Sequence, residues 1–522
     1  MSASHIDLDD VQGNIVKGYG RFGFPKARYV FFKVLNPADG RAFVESLLPF
    51  ITNGRPWERE KAHDIPNVTT NIAFTYQGLK HLGLPKQSLH SFPEEFTMGM
   101  KARAEILGDD GPSSYHNWDP IWENDKSIHI FLSINGRSDE LIEERYQLVL
   151  KHLRDCEGVE QLFGHRGKDG DAMGYQEASA IFVDGQPTSK EHFGFTDGIS
   201  DPYFEGSGSH PANVIGGGKR TRQDPGTKEG WKPLETGEFI LGYRDEAKEL
   251  PQAPTPRLLS MNGTFMVYRK LHQNVGTYKK YTENLGKDFS AGEDELKAKM
   301  VGRWENGAPL SLFPTKEMAD TFMEEYTLAT LKLNDENLSP EEKEKAKAHY
   351  STLRKQLTGF DFNNDLEGSV CPMGSHIRRS NPRGCLEYGQ SDAFDVPGAL
   401  VDRRRILRRG LPYGEVKDRS SDNGDHGIIF MALNTSIFRQ FEFVQQQWIN
   451  YGNDFKLSNE KDPITGNQSG REHMIIQGQG PTKPPFFCPN IPRFVTTRGG
   501  DYFFIPSITS LRMIAQGSID PT

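Results

Sequence analysis

Cysteine is scarce in this sequence. Only Cys156, Cys371, Cys385 and Cys488 occur in 522 residues, with no CxxC pair and none at zinc-ligand spacing. That argues against a disulfide-stapled secreted scaffold and leaves free or structural thiols in a reducing compartment. Long apolar runs are absent too, which excludes a membrane-spanning helix. The opening MSASHIDLDD lacks the basic start and the apolar stretch of a signal peptide. The expected location is therefore the cytoplasm, with export by another route left open. Positive charge is also short: 62 Lys and Arg stand against 71 Asp and Glu, a net charge of −9, whereas nucleic-acid phosphate calls for the opposite sign. Against these absences, hydrophobic residues at 35% and aromatics at 11% are enough to bury a large core, so the chain reads as globular.

Strand-then-helix units recur along the chain. ARYVFFKVL at Ala27 to Leu35 is rich in β-branched and aromatic residues, and an amphipathic stretch follows from Asp39 to Ile51. SIHIFLSI at Ser127 to Ile134 precedes a helix that sets Ile142, Tyr146, Val149 and Leu153 on one face. In the second half, NGTFMVYRKL (Asn262 to Leu271) and HGIIFMALN (His426 to Asn434) read as strands. The helix after the latter carries Ile437, Phe441, Val444 and Trp448 at the same spacing. GGGKRT at Gly216 to Thr221 fails as a phosphate loop, because Arg220 stands where Ser or Thr must reach magnesium. The pattern predicts two α+β sandwiches, helices against antiparallel sheets, in halves 1–230 and 231–522. A charged helical insertion is expected near 315–357, where Ser339 caps a helix that opens on Pro340.

Three segments carry candidate chemistry. In FGFTDGISDP (Phe193 to Pro202), Gly194 and Gly198 bracket Asp197, while Phe195 and Ile199 would keep its carboxylate dry. Desolvation raises such a group and a nearby cation lowers it, which suits a proton carrier. Taken alone, the segment also reads as a surface Asp-Gly turn. CPMGSHIRRSNPR (Cys371 to Arg383) puts His376 beside Arg378, Arg379 and Arg383, a grouping that suits haem: imidazole for iron, guanidiniums for propionates. RRRILRRGLPYG (Arg403 to Gly414) runs through apolar Ile406 and Leu407 to Arg408, an arginine that such a strand can hold facing inward, while most of this basic run reads as a solvated face.

Together, and in this order, the segments resemble those of the dye-decolourising peroxidases. Gly194 to Gly198 looks like that family's GxxDG signature. DVQGNIVKGYGR, GEFILGY, MVGRWENGAPL and HGIIFMALN extend the likeness over nearly the whole chain, and the length is similar to that of the larger subgroups. The resemblance implies a duplicated ferredoxin-like α+β fold, haem b as cofactor, and hydrogen peroxide as oxidant. Bulky aromatic or phenolic donors are implied with it, with Mn(II) as a further candidate donor and a homodimer as an assembly open to it. Residue by residue, it implies Asp197 as distal acid–base, Arg408 as distal arginine and His376 as proximal iron ligand. Arg383 would meet a haem propionate, and Ile199, Ile428 and Phe430 would line the cofactor site. Tyr413 would be a surface electron relay. Gly410 stands where certain relatives carry a distal asparagine, leaving Asp197 and Arg408 to act alone. Glu442 is the candidate partner for the second nitrogen of His376.

Overall fold

A computed structural model describes residues 6–57, 65–167, 172–208, 213–221, 230–335, 337–387, 399–478 and 484–520. The apolar runs become strands: β1 Lys26–Val34, β2 Val68–Phe74, β3 Ile130–Gly136, β4 Val159–Gln161 and β5 Tyr175–Ser179 in the first half. The second half supplies β6 Thr264–Gln273, β7 Leu407–Arg408, β8 Leu411–Tyr413, β9 Gly427–Asn434 and β10 Val495–Ile505. All ten belong to one antiparallel sheet, in the order β7-β9-β6-β10-β2-β3-β1-β4, with β8 also on β9 and β5 also on β1.

The order repeats. Each half has a seam strand (β2 or β10), then a central strand (β3 or β6), then a strand carrying two short partners (β1 or β9). The two sets meet at a single pairing, Phe504 against Phe74. The expected pair of sandwiches is therefore joined edge to edge. The central strands are buried on both sides, which is why their sequences run apolar instead of alternating.

Helices cover the sheet: α1 Pro37–Leu47, capped by the Asn36 side chain, and α2 Asp139–Arg154, capped by Ser138, whose Ile142, Tyr146 and Val149 are buried as their spacing predicts. In the second half lie α3 Val275–Gly286 and α4 Gly292–Val301. The segment expected as a charged helical insertion folds into α5 Lys316–Leu333 and α6 Pro340–Thr358, packed as a hairpin. Ser339 caps α6 reciprocally with Glu342, a full capping box. The short α7 His376–Ser380 and the closing α8 Ile508–Gln516 complete the set used here.

The stretch after β9 departs from an ordinary helix. Phe438–Glu442 and Val444–Ile449 form wide i→i+5 turns, with the Glu442 amide donating to the Ile437 carbonyl and the Asn450 amide to that of Gln445. Such turns often accompany functional sites. Ile437, Phe441, Val444 and Trp448 are all buried, as their spacing predicts. Among the described residues no helix is long and apolar enough to cross a membrane.

Candidate active site

A cavity of about 390 Å³ opens where four apolar clusters meet. Phe430 and Phe441 come from the sheet cluster and Phe193 and Phe195 from a second; Ile199 packs on a third, and Phe360, Phe362, Val444 and Ile449 come from a fourth. Asp197, His376, Arg383, Arg408, Ile199, Ile428 and Phe430 all line it. Seven residues from four distant segments thus line one cavity.

Asp197 sits between Gly194 (φ +107°) and Gly198 (φ +69°), left-handed positions that glycine adopts without steric cost. The bend turns the carboxylate toward Arg408, whose Nη1 donates to Asp197 Oδ1 at 2.8 Å. Burial pushes the Asp197 carboxyl up. The charge of Arg408, the Gly198 amide and the Arg408 hydrogen bond outweigh that and hold it below the usual value. Asp197 and Arg408 are 47% and 43% exposed, and both line the cavity. Next to them, Arg409 donates to Asp201 at 2.9 Å and to the carbonyls of Asn14 and Ile15. The motif DVQGNIVKGYGR is thereby the platform that locks the strand carrying Arg408.

His376 opens α7, and its Nδ1 pairs with Asp462 Oδ2 at 2.9 Å. Asp462 is fully buried, and its other oxygen accepts from the Ile464 and Thr465 amides. Burial raises the Asp462 carboxyl, but the His376 charge and hydrogen bond and the Thr465 amide bring it below its ordinary value. A carboxylate on Nδ1 fixes the tautomer and leaves the Nε2 lone pair free. Burial lowers the His376 pKa, but the charge and hydrogen bond of Asp462 raise it above normal.

Several expectations are corrected here. Glu442 is not the partner of His376: it takes both Arg103 nitrogens, at 2.9 and 2.5 Å, and the Tyr502 hydroxyl. Arg378 and Arg379 do not face the cavity. Helical spacing turns them into the protein, where Arg378 binds the carbonyls of Cys371, Asp365 and Leu366, and Arg379 those of Trp448, Tyr451 and Glu460. Tyr413 is not at the surface. It is 1% exposed because the LPYG turn closes onto β9, Tyr413 opposite Gly427, and its ring lies 4.8 Å from the Lys270 ammonium.

Gly410 has a steric cause. A Cβ there would stand 1.6 Å from the Ile429 carbonyl oxygen, so strand pairing leaves no room for any side chain. Gly410→Asn is expected to cost stability, roughly 1–3 kcal/mol or more, instead of adding a functional group. Thermal unfolding of the variant checks this; an unchanged Tm would contradict the close approach.

Asp462 was not legible as a partner of His376, from which it is 86 positions away. Its Asp-Pro-x-Thr context does mark a tight turn built on its side chain. Arg303, inside MVGRWENGAPL, also lines the cavity, which its sequence context did not announce.

An imidazole held by a buried carboxylate, a carboxylate held by a guanidinium and a ring of arginines around one apolar cavity describe an α+β enzyme with a buried reaction chamber. Comparison with known proteins sharpens the class. The profile of the DyP dimeric alpha+beta barrel domain matches residues 10–165. A dye-decolorizing peroxidase of Mycena epipterygia is 28% identical over 98% of this chain and 87% of its own length. Peroxidase 2 of Mycetinis scorodonius is 26% identical over 97% and 87%. The solved structure of an ancestral D-type dye decolorizing peroxidase superposes with a TM-score of 0.69 at 26% identity, covering 98% of this chain and 99% of that one. The chain is similar over nearly its whole length to dye-decolourising peroxidases, and its residues 10–165 match the alpha+beta barrel domain of that family.

Proposed function

We propose that the protein is a haem b peroxidase that reduces hydrogen peroxide to water while oxidising dyes, phenols and other aromatic donors. One observation carries the reading: Asp197 and Arg408, 211 positions apart, meet at hydrogen-bond distance in the cavity that the Asp462-bound imidazole of His376 also lines. The names of the relatives, dye-decolorizing peroxidases, support dyes as donors.

The lining suits haem. Apolar walls fit a macrocycle, and the free nitrogen of His376 fits iron. Arg383 is the better test. Burial and the charges of Arg405 and Arg303 hold its guanidinium well below the ordinary value, a strain that an anionic propionate would relieve. Bound haem supplies the iron at which the peroxide O–O bond breaks and the oxidising equivalents that donors remove.

The chain's own residues handle the proton and the charge. Asp197 takes a proton from one peroxide oxygen and returns it to the other, so that water leaves. Arg408 meets the negative charge that develops on the departing oxygen. Ile199, Ile428 and Phe430 keep this exchange out of bulk water. His376, fixed by Asp462, would hold the iron through its free nitrogen.

Adding haem to the purified protein is expected to give a visible absorption band and peroxide consumption that depends on an added dye or phenol. His376→Ala is expected to lose the band. A wild-type protein that binds no haem would overturn the reading.

A further inference from the structure

Asp197 is carried by a hairpin that closes on a buried carboxylate. Between Ser189 and Asp197, Lys190 bridges Thr196, the Glu191 amide donates to the Phe195 carbonyl at 3.0 Å, and the Asp197 amide donates to that of Ser189 at 2.7 Å. The Glu191 side chain folds back into the turn so formed. Its Oε1 accepts from the Phe195 amide at 2.7 Å, and its Oε2 accepts from the Phe193 amide at 2.9 Å and from Gln273 Nε2 at 2.5 Å. Gln273 is the last residue of β6, so the carboxylate that closes the hairpin also ties it to the sheet. The next residue ties it a second time. His192 Nε2 pairs at 2.9 Å with the carbonyl of Tyr413, on β8, the strand that follows the one carrying Arg408.

A carboxylate is a costly way to close a turn. Glu191 is 9% exposed and lines the cavity, and these hydrogen-bond partners are neutral. Burial pushes its carboxyl above the ordinary value against Gln273 and the two amides, and the charge of Asp197 adds to the rise. Taking a charge out of water costs free energy that a neutral side chain would not lose. What the charge contributes is rigidity, because hydrogen bonds to an ionised oxygen are shorter and stronger than neutral ones. Gly194 and Gly198 let the segment bend but do nothing to hold the bend. Glu191 supplies the hold.

We propose that Glu191 is a positioning residue: its buried side chain, bonded to the amides on either side of Gly194 and to Gln273, sets where the Asp197 carboxylate stands relative to Arg408. This rests on the reading of Asp197 as the proton carrier and goes beyond it by assigning the placement of that group to a second carboxylate. A shift of about 1 Å in a reacting group can cost about 10²-fold in rate, so a residue that never meets peroxide can still govern its reaction.

The test is a cycle of Glu191→Gln, Asp197→Asn and the double variant, on full-length haem-loaded protein, with the peroxide reaction followed by rapid mixing. Glutamine keeps the volume but turns an amino group toward one of the two amides that the carboxylate held. Glu191→Gln is expected to slow the peroxide step about 10–100-fold and to leave the later reduction by a phenol donor unchanged. In the Asp197→Asn background it is expected to slow nothing further, because its effect runs through Asp197. In the protein without cofactor, Glu191→Gln is expected to speed amide hydrogen exchange at Phe193 and Phe195, a readout independent of turnover. Gln273→Met removes one partner of Glu191 and keeps the side-chain volume; it is expected to slow the peroxide step by less, and it carries the test if the Glu191→Gln chain does not fold. An unchanged peroxide step in both variants, or a slowing by Glu191→Gln as large in the Asp197→Asn background as in wild type, would overturn the proposal. A peroxide step untouched by Asp197→Asn alone would instead overturn the acid–base reading, and the positioning role with it.

Discussion

Asp197→Asn is expected to slow the reaction with peroxide by about 10²–10⁴-fold while the cofactor stays bound. Asparagine keeps the volume of the side chain and an oxygen that can still accept from Arg408 Nη1. What it loses is the ability to take a proton and give it back. The pH dependence has a definite sign. Arg408 and the Gly198 amide hold the Asp197 carboxyl below its ordinary value despite burial, so the charged form exists at every pH above that lowered value. Wild-type rate should persist into acid and fall only as pH drops through the depressed pKa. The stability contributed by the ion pair is likewise present above the ordinary carboxylate value and fades in the same acid window. Asp197→Asn should show neither limb. Rapid-mixing measurements of peroxide reaction across the acid range check this, and a wild-type profile that peaks well above neutrality would count against Asp197.

Asp462→Asn is expected to weaken cofactor retention or activity by 10–100-fold. The substituted side chain can still accept from the Ile464 and Thr465 amides, so the turn should survive. The negative charge on His376 Nδ1 disappears, and with it the interaction that raises the histidine pKa against burial. The imidazole then binds metal less strongly and is free to rotate. A retained fold with weakened cofactor binding is the expected pair of results, read by far-ultraviolet circular dichroism and by titration with haem. Unchanged affinity would mean that Asp462 only builds its turn.

Much of this arrangement was readable in advance, where the signal was local. The apolar runs at residues 26–34 and 264–273 became strands, because β-branched and aromatic residues fit a sheet buried on both faces. Glycines flanking Asp197 predicted a bend, and both glycines have positive φ. What depends on three-dimensional closure was not readable. Arg378, Arg379 and Arg383 look alike in a string, yet only Arg383 escapes the helix and reaches the cavity. Tyr413 looks like part of an exposed turn until its pairing with Gly427 is known. Glu442 has the right chemistry for His376, but Arg103, 339 positions earlier, claims it. No spacing rule reports the deciding partner, whether it lies in the adjoining strand, as Gly427 does, or 339 positions away, as Arg103 does.

The cavity at the meeting point of four apolar clusters has one more consequence. A flat hydrophobic guest seated there would touch each cluster at once and act as a keystone, making four separate patches melt as one. Removing it would loosen the chamber first, so the sheet seam at Phe74 and Phe504, which does not line the cavity, should outlast it during unfolding.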